Sequence, residues 1–179
     1  MKNILHALAV GTFAPVLKTL AGLLERGADH ARAAGADPDA LVVARLAPDM
    51  FPLSTQVQLA CHHAKDGTAR LTGQAPLKIE NRELTLGELK TLTKATVKHL
   101  DGVTVAAFAG AEDRVIEMPL QGDTVFKSNG LQFLRDWAIP NFYFHVVTAY
   151  DILRNRGVEV GKRDYLSHIG PYLSQRRAK

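Results

Sequence analysis

The chain has 179 residues, 46% of them hydrophobic, which suits one domain over one core, residues 1–179, within the usual range of roughly 100 to 200. A single cysteine, Cys61, excludes an intrachain disulfide and a cysteine-rich zinc knuckle, and fits a reducing, cytoplasmic setting. The excess of 22 Lys and Arg over 18 Asp and Glu is scattered except at Gln175-Arg176-Arg177-Ala178-Lys179, a run that reads as a solvated tail, so no nucleic-acid partner is expected.

At the N-terminus, Lys2 precedes an apolar stretch, as in a signal sequence. The apolar spacing nevertheless continues through Val16, Leu17, Leu20, Leu23 and Leu24, the pattern of an amphipathic helix. A first helix is predicted from Asn3 to Arg26, with Pro15 bending it and Gly27 ending it. No stretch is read as reaching the ~20 apolar residues of a bilayer span, so no membrane partner is expected. Asp37 before Pro38 signals a short helix over Asp39 to Leu46.

From Leu53 to Leu71 the positions Leu53, Val57, Ala60, Cys61, Ala64 and Leu71 share one side of a second long helix, ended by Gly73 and Pro76. Thr85-Leu86-Gly87-Glu88 has the form of a capping box, in which each side chain satisfies the other's backbone N–H. It opens a third helix, Leu86 to Leu100, expected to bury Leu89, Leu92, Val97 or Thr96, and Leu100. The period then shortens. Val115 to Leu120 and Thr124 to Lys127 read as a hairpin about Gln121-Gly122-Asp123, which must lie against helices because a lone hairpin is marginal in water. A final helical region starts at Ser128 or Asn129, is restarted or kinked at Pro140, and stops at Gly157. The expected fold is all-α, an up-down four-helix bundle with a small β-hairpin before the last long helix.

The chemistry centres on that last helix. At 100° per residue, Phe142, Val146, Ala149 and Leu153 form its inner face and His145 flanks them, while Thr148, Asp151 and Arg154 point away. On the second helix His62 falls opposite the apolar stripe and is expected to be exposed. His63 sits on the stripe's edge near Gln56, so His63 or Gln56 is expected to meet His145. Consecutive helical residues diverge, and the His62-His63 pair is therefore not a chelating pair. Asn141, directly after Pro140, reads as a helix cap. Cys61 lies on the apolar stripe, where a thiol away from positive charge is inert. There is no G-x-S-x-G elbow and no P-loop spacing. Two readings of His145 remain open: a metal ligand or catalytic group, or a core histidine hydrogen-bonded to a neighbour.

Two stretches, "APDMFPLSTQVQLACHHAK" from Ala47 and "IPNFYFHVVTAYDILRNRGVEVGKRDYL" from Ile139, resemble the signature blocks of a bacterial domain-of-unknown-function family. That family is grouped with the DinB-like helical bundles, and the likeness extends over nearly the whole chain. In the second stretch Pro140, Asn141, Phe142, Phe144, His145, Thr148, Ala149, Tyr150, Ile152, Leu153, Arg154, Gly157, Val158, Gly161 and Lys162 stand where the family pattern has them. The resemblance implies a DinB-like four-helix bundle and a homodimer. In the wider superfamily three histidines from two helices hold a divalent metal, zinc or nickel, and some members are thiol transferases or hydrolases. This chain departs from that pattern: the position one turn after His145 is Ala149. A metal would then rest on His145 with His63, or with Gln56 or His62 in the early-helix place. The leading expectation is a non-catalytic or small-molecule-binding bundle with an interior pocket around Gln56, His63, Asn141 and His145 and no required cofactor. The alternative is a divalent-metal-dependent hydrolase or thiol transferase with an altered histidine site.

Overall fold

Asn3 sets the start of the first helix. Its side-chain oxygen accepts from the N–H groups of Leu5 and His6, at 3.0 and 3.1 Å, and so satisfies two of the donors a helix start leaves without partners. The computed structural model describes residues 3–75, 77–79 and 82–174. Lys2, Pro76 and the basic run 175–179 lie outside the described residues.

Helix α1 (Ile4–Ala33) passes Pro15 and does not stop at Gly27. Ala28 and Ala31 remain buried beyond it, and continuing burial outweighs a glycine's poor helix propensity. What Gly27 supplies is space, since a β-carbon there would lie 3.0 Å from Leu153 Cδ2. By length and composition α1 is apolar enough to cross a membrane, which corrects only the expectation that no stretch reaches that length. In the folded chain its apolar side, including Phe13, Leu17, Leu20 and Leu24, is buried in the bundle core.

Asp37 caps as predicted, accepting from the Asp39 N–H at 2.9 Å, but the cap opens only a single 3₁₀ turn, Pro38–Leu41. A helix to Leu46 does not form because the carbonyls of Val42 and Ala44 take the N–H groups of Ser54 and Leu53, at 3.0 and 2.9 Å, and tie the connection to the next helix. Helix α2 (Leu53–Leu71) has the predicted bounds. Helix α3 (Leu86–Asp101) opens with the expected capping box, the Thr85 N–H donating to Glu88 Oε2 at 2.8 Å and the Glu88 N–H to Thr85 Oγ1 at 3.2 Å. It buries Leu89, Thr93, Thr96, Val97 and Leu100, with Leu92 half-buried.

Strands β1 (Ile116–Pro119) and β2 (Val125–Ser128) form the antiparallel hairpin, with Met118 opposite Phe126. Phe126 meets Trp137 at 5.1 Å between ring centroids, which holds the hairpin against the last helical region. That region begins with α4 (Gly130–Phe133), capped reciprocally by Asn129 and Gln132. Gly130 is irreplaceable in space, because a β-carbon there would stand 1.8 Å from the Ala111 carbonyl oxygen. A π-helical turn (Leu134–Ala138) comes next, and α5 (Ile139–Asn155) continues without a break at Pro140. Proline lacks the N–H that would bond back one turn, and the widened π turn accommodates that loss. α5 ends before Gly157, whose φ of +84° suits glycine. A short α6 (Lys162–Tyr165) and a 3₁₀ turn (Ser167–Tyr172) complete the described chain.

The four main helical segments are therefore α1, α2, α3 and the α4 to α5 run, with the hairpin inserted before the last. α1 packs chiefly on α3, and α2 packs on α5. Phe142, Val146, Ala149 and Leu153 line the buried side of α5, as their spacing predicts.

Candidate functional site

The α2–α5 interface brings His145 to Gln56. His145 is 7% exposed and Gln56 1%, and His145 Nδ1 lies 2.7 Å from Gln56 Oε1. The amide is oriented by a second bond, from Gln56 Nε2 to the Phe51 carbonyl at 3.2 Å. Gln56 Oε1 can only accept, so His145 Nδ1 carries the proton and Nε2 keeps its lone pair. Nε2 has no hydrogen-bond partner among the described residues.

His63 lies on the other side of the imidazole. Its ring stacks on that of His145 with centroids 5.3 Å apart and planes 9° apart, and Phe144 meets the same imidazole edge-on at 5.2 Å. Burial lowers the His145 pKa to about 4. Burial first, then the neighbouring His145 and His62, lowers that of His63 to about 4 against an opposing pull from Asp66. Both rings are therefore neutral near pH 7. A neutral imidazole with such a low pKa has almost no acidic form to offer there, so the pair serves poorly as a proton donor and well as a hydrogen-bond acceptor.

Three of the four sequence-predicted site residues thus come together. Asn141 does not join them: it sits inside the continuous helical run instead of capping it, and its Nδ2 donates to the Trp137 carbonyl of the π turn at 2.8 Å. Thr148 is buried instead of pointing away, with its hydroxyl donating to the Phe144 carbonyl at 2.7 Å. α5 packs against both α2 and α1, so its buried arc is wider than one stripe.

The donor set does not fit the metal that the DinB-like resemblance implies. An imidazole-bound metal lies in the plane of the ring, along a nitrogen lone pair, and a zinc site needs about three protein ligands. Two stacked, parallel rings have no common in-plane point for a metal, and Ala149 stands where another histidine would come. Among the described residues no three His, Cys, Asp or Glu side chains gather to hold an ion.

His62 is half-buried rather than exposed. The chain after α2 folds back over that side of the helix and is held at two points. Asp66 Oδ1 accepts from the Leu77 N–H at 2.8 Å, while Gln58 accepts from the Arg82 N–H and donates to the Arg82 carbonyl, both at 3.1 Å. Between these ties lies a cleft of about 190 Å³ lined by Cys61, His62, Lys65, Lys78, Arg82 and the side chains of Leu77, Leu84 and Leu92. Nothing in the sequence pattern predicts it, because the path of residues 72–85 carries no periodic signal. The two residues that make the ties, Gln58 and Asp66, are polar side chains that α2 nonetheless buries.

The family model described as a domain of unknown function (DUF1993) matches residues 5–166. A crystal structure of a DinB family member protein from Shewanella denitrificans is similar along almost its whole length. It has a TM-score of 0.82 and 38% sequence identity, over 98% of this chain and 96% of that one. No curated protein matches the chain.

Proposed function

This chain belongs to the DUF1993 family, a domain of unknown function with a DinB-like fold, and on that premise we propose that it is a non-catalytic, small-molecule-binding helical bundle. Gln56 and His145 clasp α2 to α5, and the acceptor left at His145 Nε2, beside the His63 ring, is the point offered to a neutral ligand. The observation that carries the reading is the 2.7 Å bond from His145 Nδ1 to a glutamine oxygen, whose amide is fixed in turn by the Phe51 carbonyl. A neutral acceptor that cannot readily protonate near pH 7 suits recognition better than acid-base turnover. The exposed edge of α5, with Phe144 57% and Val147 39% accessible, is the surface assigned to a homodimer contact.

Side-chain nitrogen NMR tests this directly. His145 is expected in the Nδ1–H tautomer at pH 7, with its resonances unchanged when zinc or nickel is added. Protein purified without an affinity tag should hold less than ~0.2 metal per chain. Stoichiometric metal, or a His145 signal that moves on adding zinc, overturns the reading in favour of the metal-dependent hydrolase or transferase. Light scattering that returns a monomer at micromolar concentration removes the dimer.

A further inference from the structure

We propose that the cleft between α2, α3 and the returning residues Leu77, Lys78 and Arg82 binds a small organic monocarboxylate with an apolar body. The proposal is independent of the reading of His145, which lies on another side of α2.

The cleft is held open by its two ties. Gln58 and Asp66 are eight positions apart on α2, about 12 Å along the axis at 1.5 Å per residue. The returning chain is fastened to the helix at those two places, and the cleft lies between them. Its floor is apolar: Cys61 and Leu84 are buried, with Leu92 half-buried beside them and Leu77 above. Its rim carries the ammonium groups of Lys65 and Lys78, and Arg82 lines the same space. Lys65 and Lys78 have no ion-pair partner among the described residues. Of the carboxylates near the rim, Asp66 is already engaged by Arg70 Nε at 2.6 Å and by the Leu77 N–H, and Glu88, which lies within electrostatic reach of Arg82, accepts from the Thr85 N–H and hydroxyl. Positive charge around an apolar floor selects a ligand with one anionic end and one greasy end. Size selects further, since an engineered cavity of about 150 Å³ accepts benzene, and about 190 Å³ accommodates a ring or a short chain bearing a carboxylate.

The test is a titration of the full chain, monitored by histidine side-chain NMR and calorimetry, with benzoate, benzamide and inorganic phosphate as probes. Benzoate is expected to saturate one site with a Kd below about 1 mM and to shift the His62 ring while leaving His63 and His145 in place. Benzamide, with the same body and no charge, should bind at least about tenfold more weakly, and phosphate, with charge and no apolar body, likewise. The double variant Lys65→Met/Lys78→Met alters two side chains outside the core and should keep the fold by circular dichroism while losing about tenfold in benzoate affinity. Three results overturn the proposal: no saturation by about 20 mM, benzamide or phosphate binding as tightly as benzoate, or shifts centred on His63 and His145. The benzamide comparison uses the unmodified protein, so it decides the matter even if the double variant does not fold.

Discussion

Helix α2 carries two histidines side by side, and the surroundings of each differ. His63 lies on the ring of His145 at the closed α2–α5 interface, where Gln56 is sealed from water and its amide has a fixed direction. His62, rotated by 100°, faces a cleft with a cationic rim, covered by a returning segment that touches α2 through two polar side chains. One side holds its imidazoles neutral by burial and leaves a single acceptor nitrogen, His145 Nε2, without a partner among the described residues. The other keeps an opening rimmed by positive charge. The same short sequence, Cys61-His62-His63, thus serves two unrelated physical purposes, and only the partner elements decide which residue does what.

Acid distinguishes the two sides most strongly. In an unfolded chain a histidine titrates near ~6.5, whereas His63 and His145 titrate at about 4 in the folded protein. Between those values the unfolded chain takes up protons that the folded one refuses. The pair's contribution to stability is therefore full above about pH 6.5, falls as the pH drops, and is gone by about pH 4. One histidine shifted this far contributes on the order of 3 kcal/mol, so Tm should drop by roughly ten degrees or more between pH 7 and pH 4. Calorimetric scans of His63→Gln/His145→Gln should show a shallower dependence over the same range. A slope identical to that of the parent would mean that the pair is not held neutral by burial.

Next in size is Gln56→Leu. It removes the acceptor of a buried N–H, and should cost about 1 to 3 kcal/mol in urea unfolding with an unchanged m-value. Adding His145→Phe removes the stranded donor as well, and the double variant should recover part of the loss, since replacing both partners by apolar groups is far milder than orphaning one. Losses that simply add would show that Gln56 and His145 are not a clasp.

How far the sequence leads obeys the same division. The α2 and α3 bounds, the Thr85 capping box, the hairpin and the buried side of α5 depend on local periodicity and capping chemistry, which a chain displays openly. The approach of Gln56 and His63 to His145 is legible because a helical wheel constrains which side chains can meet. The end of α1 is not, because Gly27 reads locally as a stop while its real constraint is Leu153, far along the chain. Asn141 misleads for a similar reason: a cap and a bond back to a π turn have the same local signature, Asn after Pro, and differ only in what precedes them. The cleft is invisible in the sequence because it depends on a loop's path, fixed by Gln58 and Asp66 through bonds across long sequence separations.

On the cleft side the effects are smaller. Gln58→Ala removes both bonds to the Arg82 backbone, which lies at the surface where water can replace them, and should cost about 1 kcal/mol. Its more specific sign is in hydrogen exchange, where the Arg82 amide should lose protection while the Leu77 amide, still held by Asp66, keeps it.

The smallest effect is expected at His62 itself. No described residue hydrogen-bonds to its ring, and its one ring contact is an edge with His63 at 5.5 Å, so truncation leaves no buried polar group without a partner. Its pKa is lowered by burial, with Lys65 and Arg70 adding to the effect and Asp66 opposing it, so the ring is neutral at pH 7 and loses no ion pair on removal. His62→Ala should then change stability by about 0.5 kcal/mol or less, whereas His63→Ala forfeits the stack on His145 and opens the α2–α5 interface to water, at about 1 to 2 kcal/mol. Equal losses in the two variants, measured side by side in urea at pH 7, would mean that the two sides of α2 are packed alike and that the cleft is closed in solution.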